Sequence, residues 1–365
     1  MKTLSLAILR KSAAIPSEGL VLRATRKKNF FGRRDCAYFC DGAMEKFFPS
    51  RYPVVCQSIP EIEEGDILLI HDDGHCEVLW DIDAPKGNCL FVSDACNAHC
   101  PMCPQPPKKD EIVHHERNLR VLRLLRNPPE MICITGGEPF LFPKRVISYF
   151  QIIRKRFPRA AVSVLTNGIC LSDFETAKRI ALSAPLDTLF CISLHADTPS
   201  VMKEMNGAFL GFERAIKGIV NLGRLKQNIE LRPVVSKANH KYLRTYAEFV
   251  YRNFPFVCHV AFMGQEICGN ALKNYEKIWI DPVEYAVSLV DAVEFLDAVG
   301  ISVSIYNVPR CILPVRAWRF AVQSISEWKQ TYLPVCESCS EKSSCCGVFT
   351  TSGVLLSRGI SPIEH

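Results

Sequence analysis

The feature that most narrows the possible folds is a regular alternation from residue 89 onward. Short runs rich in β-branched and apolar residues are followed by longer stretches with helical periodicity. Such alternation predicts a parallel sheet whose consecutive strands are joined by crossover helices. Strands are expected near Cys89–Ser93, Met131–Thr135, Ala161–Thr166, Thr188–Leu194, Ile229–Val235, Val257–Met263 and Ile301–Ile305. Helices are expected near Glu116–Arg126, Pro143–Arg156, Ser172–Ser183, Phe212–Leu225, Tyr242–Asn253 and Pro282–Val299, several opening at Ser, Asp or Pro. Six or seven βα units make a partial or open barrel, in which working groups gather on the loops after the strands.

Directly after the first expected strand stands Cys96-Asn-Ala-His-Cys100-Pro-Met-Cys103, a C-x3-C-x2-C pattern. Cubane iron–sulfur clusters are held by cysteine thiolates and normally take four. Three thiolates leave one iron of a [4Fe–4S] cluster open, and S-adenosylmethionine can chelate it through its methionyl amine and carboxylate. One-electron cleavage of its C–S bond then starts radical chemistry. Zinc is the alternative, with His99 as a fourth ligand, although zinc sites usually show a second cysteine pair. A disulfide framework fits poorly, because no signal peptide is visible and such frameworks belong to small secreted domains.

A chain of 365 residues can bury a large core, and eighteen cysteines fit a reducing compartment, so a cytoplasmic location is expected. Cys133, Cys170, Cys191 and Cys258 sit in or beside apolar runs and read as small buried core residues. The formal charge of +6 is spread along the chain; its densest cluster, Arg26, Lys27, Lys28, Arg33 and Arg34, reads as solvated surface. A nucleic-acid partner would require a more concentrated basic footprint with interleaved aromatics. No apolar run reaches the roughly eighteen residues of a membrane helix, and a soluble chain is expected.

Each strand end offers candidate ligand contacts. After the second strand, Gly136-Gly137-Glu138-Pro139 combines glycines that let the backbone approach a ligand with a carboxylate suited to an ammonium group. An ordinary strand-to-helix turn is the plain alternative for those four residues. Asn167, within Thr166-Asn167-Gly168, ends the third strand and shapes the floor of the same cavity. Ser193 and His195 close the fourth strand two residues apart, hence on one face, either as a hydroxyl within reach of a ribose or as satisfied core or rim residues. Arg232 is a charge inside an apolar strand and demands an anion, either the cofactor carboxylate or neighbouring Glu230. The sixth strand ends at Phe262-Met263-Gly264-Gln265-Glu266, a loop suited to adenine or substrate.

A second constellation lies near the C-terminus: Cys311, then Cys336-x2-Cys339 and Cys345-Cys346. Four thiolates close a metal site, and the spacing does not choose between an auxiliary [4Fe–4S] cluster and zinc. Adjacent cysteines do not easily bind one ion together, so Cys345 is taken as the fourth ligand and Cys346 as spare.

The triplet together with Gly136-Gly137-Glu138-Pro139 resembles the radical S-adenosylmethionine (radical SAM) superfamily. More narrowly, six blocks resemble the radical SAM maturases of the His-Xaa-Ser system, the HxsC type. They are Cys100-Pro-Met-Cys-Pro-Gln-Pro-Pro107, Trp279-Ile-Asp-Pro-Val-Glu-Tyr285, Ser302-Val-Ser-Ile-Tyr-Asn307, Cys311-Ile-Leu-Pro314, Ser324-Ile-Ser-Glu-Trp-Lys329 and Tyr332-Leu-Pro-x-Cys-x-x-Cys339. One departure is Cys346, where that pattern has Gly. The resemblance implies a partial (βα)6 barrel and a 5′-deoxyadenosyl radical that modifies a ribosomally made peptide bearing His-Xaa-Ser repeats. It also implies a second radical SAM partner protein and an electron donor such as flavodoxin or ferredoxin.

The expected organisation is α/β. A small β-rich module spans residues 1–88, the barrel 89–305, and a Cys-rich metal-binding extension 306–365. Within the first, Gly65–Ile70 and Glu77–Trp80 read as a hairpin around Asp73-Gly74, in an appendage that covers one end of the barrel or presents a sheet edge to a peptide. Two other functions compete with peptide modification: a radical enzyme acting on a small molecule or nucleotide, and a zinc-stabilised binding module.

Overall fold

The computed structural model describes residues 2–12, 14–27, 33–41, 52–84, 87–110, 112–353 and 355–364. Lys28 of the basic cluster lies outside them. Among the described residues the first region carries seven strands: β1 (Lys2–Ser5), β2 (Ile8–Lys11), β3 (Leu20–Thr25), β4 (Cys36–Cys40), β5 (Val54–Gln57), β6 (Ile67–Ile70) and β7 (His75–Trp80). They form one sheet of order β1-β7-β6-β3-β4-β5-β2, parallel at β3–β4 and β4–β5 and antiparallel elsewhere. The expected hairpin is β6–β7. Its Gly74 takes φ 87°, and a Cβ there would stand 2.5 Å from the Leu6 carbonyl oxygen, so glycine answers both constraints. The two edge strands are consecutive halves of one segment, separated only by Leu6 and Ala7. The sheet therefore bends back on itself, and each free edge is only 4 residues long, a poor template for strand addition.

Alternation gives this sheet two apolar faces. Leu22, Ala24, Leu68 and Ile70 fill its own core, whereas Val21, Ile67, Leu69 and Trp80 join the main core beside Leu90, Val121 and Leu125. Arg120 Nε donates to the Val21 carbonyl (3.4 Å) across the same seam.

The second layer follows as β8 (Cys89–Phe91), α1 (Val113–Leu124), β9 (Met131–Thr135), α2 (Pro143–Arg156), β10 (Ala161–Thr166), α3 (Phe174–Ser183) and β11 (Thr188–Ile192). It continues with α4 (Pro199–Asn206), α5 (Gly211–Arg224), β12 (Asn228–Leu231), α6 (Leu243–Asn253), β13 (His259–Met263), α7 (Asn270–Lys273), α8 (Tyr275–Ile278), α9 (Pro282–Ala298), β14 (Ser302–Tyr306) and β15 (Ala321–Val322). β8 to β15 form one parallel sheet in chain order. β8 and β15 stand at opposite edges, which makes the barrel partial. Outward residues such as Ile132, Val164, Phe190 and Ile305 pack beneath the helices.

The inward set of the same strands is polar. Cys133, Ser163, Cys191, Glu230, Arg232 and Ser304 share the inward parity with Thr135, Leu165 and Met263, which line the cavity described below. Packed barrels are filled with branched apolar side chains; this lumen instead carries a hydrogen-bonded chain. Arg232 pairs with Glu230, His259 Nδ1 donates to Glu230 (2.7 Å), and His259 Nε2 lies 3.0 Å from Ser304 Oγ.

Several elements differ from expectation for physical reasons. The fifth strand ends at Leu231 rather than Val235, because Pro233 offers no N–H to the ladder. α4 was not anticipated, although Thr198-Pro199 is a start signal and Asn206-Gly207 a stop, with Gly207 left-handed at φ 61°. Beyond β15 the chain runs through short 3-10 turns and a two-stranded sheet, β16 (Gln330–Thr331) with β17 (Val348–Phe349).

Candidate functional site

The loop Cys96–Cys103 leaves β8 through a stem pinned from several sides. Ser93 is fully buried and donates to Asp110 Oδ1 (2.6 Å), while Arg145 grips both oxygens of Asp110 (2.9 and 2.8 Å). This bidentate pair keeps the Asp110 carboxyl below its ordinary range. His114 Nε2 meets Asp94 Oδ2 at 2.8 Å. On the far side, His99 N–H donates to the Asn206 carbonyl at the end of α4 (2.8 Å). Asn270 N–H donates to the Cys103 carbonyl (2.9 Å), and Asn274 Nδ2 to the Pro101 carbonyl (3.2 Å). α4 and α7–α8, helices absent from the sequence reading, thus clasp the loop.

The three thiols share a cavity of about 360 Å³ at the carboxyl ends of the strands. Gly136, Gly137, Asn167, Ser193, His195 and Arg232 line it as well. Ala98 N–H donates to Cys96 Sγ (3.4 Å), and Asn167 Nδ2 lies 3.8 Å from the same sulfur. Burial raises all three thiol pKa values, that of Cys100 to about 12, so a metal would have to displace protons to bind there.

The strand-end residues singled out in the sequence are held largely by contacts within the protein. The glycines of the GGEP turn line the cavity and also abut the loop stem. Gly137 N–H donates to the Ser93 carbonyl (2.7 Å) and Glu138 N–H to the Ala95 carbonyl (2.8 Å), and a Cβ on Gly137 would stand 2.3 Å from the Ala95 oxygen. Glu138 has partners of its own within the protein. It is fully buried, and its carboxylate accepts from Thr166 Oγ1 (2.8 Å), Asn167 N–H (2.7 Å) and Phe140 N–H (3.0 Å). Burial raises its pKa against those three donors. Pro139 is buried behind it in a 3-10 turn, away from the cavity. Arg232 reaches the cavity but has its anion in Glu230, the intramolecular alternative. Although burial opposes it, the His259 hydrogen bond and the Arg232 charge hold Glu230 down at about 2. His195 is buried and pulled down to about 4, its Nδ1 accepting from Val234 N–H (3.2 Å).

Asn206 is the functional candidate that the sequence reading missed. It is 2% exposed and lines the cavity, and its Nδ2 has no hydrogen-bond partner. Its Oδ1 accepts from Ala208 N–H (3.0 Å), so the idle Nδ2 is a buried donor at the edge of the thiol cavity, open to an anionic or sulfur-rich guest. The donor set and this orphan together fit a cysteine-ligated cluster with a chelating cofactor.

The second constellation also converges. Cys311, Cys336, Cys339 and Cys345 line one cleft, whereas Cys346 points away into a small core with Ile325 and Phe349. Backbone N–H groups of Arg310 and Ile363 donate to Cys345 Sγ and Cys339 Sγ, both at 3.4 Å. The hydrogen bond with Cys346 is the main cause that brings the Cys345 thiol down to about 6, while Cys346 is pushed up. Among the described residues, no three His, Cys, Asp or Glu side chains close around a single ion-sized point. No helix among them is long and apolar enough to cross a membrane.

This geometry agrees with the comparisons. Residues 90–250, from β8 into α6, match the family model of the radical SAM superfamily. That segment is therefore similar to the radical SAM superfamily, and the α/β partial parallel barrel is consistent with that match. Solved structures similar to the chain include Streptococcus suis SuiB bound to S-adenosylmethionine, at 15% identity over 60% of this chain and 49% of that one, TM-score 0.47. SuiB bound to its precursor peptide SuiA is similar at 15% identity over 60% and 47%, TM-score 0.45. A third is native anSMEcpe with bound AdoMet and Kp18Cys peptide, at 17% identity over 59% and 62%, TM-score 0.47. The chain spans about half the length of the SuiB structures. No curated protein matches it by sequence.

Proposed function

We propose that this chain is a radical SAM maturase that modifies a ribosomally made peptide of the His-Xaa-Ser type. One observation carries the reading: Cys96, Cys100 and Cys103 face a single cavity shared with the strand-end loops at Gly136, Asn167 and Ser193. When bound there, a [4Fe–4S] cluster and S-adenosylmethionine supply one-electron C–S cleavage and a hydrogen-abstracting 5′-deoxyadenosyl radical. The chain's own residues do the rest. Cys96, Cys100 and Cys103 would hold the cluster, and the Asn206 amide and Ser193 hydroxyl would orient the polar ends of the cofactor. The enclosing barrel excludes water from the reacting centre. The six blocks shared with the HxsC-type maturases support the peptide substrate, a second radical SAM partner and an external electron donor. Cys311, Cys336, Cys339 and Cys345, gathered in one cleft, would hold an auxiliary [4Fe–4S] cluster or zinc.

The test is anaerobic reconstitution with iron and sulfide, followed by S-adenosylmethionine, dithionite and a synthetic peptide with three His-Xaa-Ser units. Formation of 5′-deoxyadenosine and a mass change in the peptide are expected. Deoxyadenosine without any peptide change, but with turnover of a small molecule or nucleotide, would move the assignment to that substrate class.

A further inference from the structure

Gln265 stands at the start of the loop after β13 with both amide atoms buried and neither hydrogen-bonded. Burying a carboxamide with an idle donor and an idle acceptor is costly. Because both atoms are free, the choice of amide orientation does not alter the point. Its placement is specific. Gln265 lines the large cavity and also a smaller one, in company with Gly264, Asn307 and Phe349. The smaller cavity shares Pro309, Gly347, Val348 and Ile360 with the C-terminal thiol cleft. The large cavity at the Cys96–Cys103 site thus borders, at Gln265, a small one of about 50 Å³, which in turn abuts the thiol cleft of Cys311 and Cys345.

The backbone around Gln265 is held in place. Asn307, left-handed at φ 64°, donates from Nδ2 to the Gly264 carbonyl (3.2 Å) and accepts from Ser324 Oγ (2.7 Å). A Cβ on Gly264 would stand 2.5 Å from the Asn307 carbonyl oxygen. Gly264 N–H donates to the Tyr306 carbonyl (2.8 Å). The neighbouring Glu266 is occupied by Lys329 (2.9 Å). What remains free at this point is one planar donor–acceptor pair.

Such a pair complements another adjacent donor and acceptor, and two ligands offer one: the main chain of an extended peptide, and the edge of adenine. A cofactor confined to the thiol site would fill one cavity, whereas Gln265 borders two. We propose that Gln265 binds the main chain of the substrate, pairing with the N–H and C=O of one residue where the peptide enters the radical site at the border of the two cavities. This assignment rests on the peptide reading above and names a residue that reads the backbone irrespective of sequence.

The experiment uses the full-length reconstituted protein and two probes, S-adenosylmethionine and a fluorescein-labelled peptide of three His-Xaa-Ser units. Gln265→Leu removes both partners, and Gln265→Glu keeps the length but loses the donor; circular dichroism checks that each variant folds. Peptide Kd by anisotropy is expected to weaken tenfold or more in both variants, while the S-adenosylmethionine Kd moves less than twofold. A tenfold loss of S-adenosylmethionine affinity with unchanged peptide binding would assign Gln265 to adenine and overturn the proposal, as would unchanged affinity for both probes. Deoxyadenosine formation by the wild type reports separately on the radical reading. A wild type that makes deoxyadenosine but binds no peptide would overturn the substrate class together with this assignment.

Discussion

The two thiol sites are built in opposite ways. The first draws three cysteines from one eight-residue loop, Cys96 to Cys103, and opens onto a cavity of about 360 Å³. The second draws four from three separated stretches, at Cys311, at Cys336 and Cys339, and at Cys345, and lies in a tight cleft that the tail closes through Ile363 N–H on Cys339. An incomplete ligand set facing open space suits a group that must bind a reactant. A complete set under a lid suits structure or electron transfer. The scaffolds differ accordingly: parallel-strand ends and clasping helices hold the first, and 3-10 turns hold the second.

The largest effect expected from this contrast is catalytic. Cys96→Ala, Cys100→Ala or Cys103→Ala should each drop dithionite-driven 5′-deoxyadenosine formation to the buffer control, whereas Cys336→Ala or Cys339→Ala should leave measurable cleavage. Equal loss from both sets would erase the distinction. Metal content gives the next measure: about eight irons with sulfide in the wild type, and about four in a variant lacking Cys336 and Cys339. About four irons plus zinc in the wild type would instead make the second site structural.

The same contrast explains what was legible in the sequence. The triplet of the first site stands out in the sequence because its cysteines are local, and β9, β10, α2 and the start of α9 followed from periodicity and from Pro and Asp start signals. The second was visible as a count of cysteines, but the choice of Cys345 over Cys346 depends on which side chain turns into the cleft. The roles of Glu138 and Arg232 were legible only as charge. Whether a carboxylate meets a ligand or a neighbouring loop depends on contacts between residues 28 and 29 positions apart, as with Thr166 and Asn167 on Glu138. α4 and α7–α8 are too short for periodicity to announce, yet they carry Asn206, Asn270 and Asn274.

A backbone test comes next in size. Gly137→Ala would press a methyl group onto the Ala95 carbonyl, 2.3 Å away on rigid backbone, at a cost of about 1–3 kcal/mol. Thermal unfolding should register that cost, and iron retention at the first site should fall with it. The homologous insult at the second site, Gly347→Ala at φ 65°, should spare S-adenosylmethionine cleavage. Glu138→Gln follows at about 1–3 kcal/mol, because one oxygen is exchanged for an amide among three donors. If Glu138 is the internal brace described above, the Kd for S-adenosylmethionine should change little in the folded variant. A marked rise would restore the ammonium contact.

The smallest effect concerns pH and separates the sites by their titratable groups. His195, beside the first, is buried and held at about 4, below the value of about 6.5 for the unfolded chain. The unfolded state therefore binds the extra proton first, and the stability contributed by neutral His195 is present above about pH 6.5 and lost progressively as pH falls toward 4. Between pH 7 and pH 6 the expected loss is under about 1 kcal/mol by the same linkage, measurable as a lower denaturant midpoint. His195→Asn should flatten that limb relative to the wild type, while Cys336→Ala, in a cleft without histidine among its lining residues, should leave the slope intact. A His195→Asn variant with an unaltered pH dependence would show that the imidazole near the first site is charged or solvated in the native protein, contrary to its position 6% exposed beneath Val234.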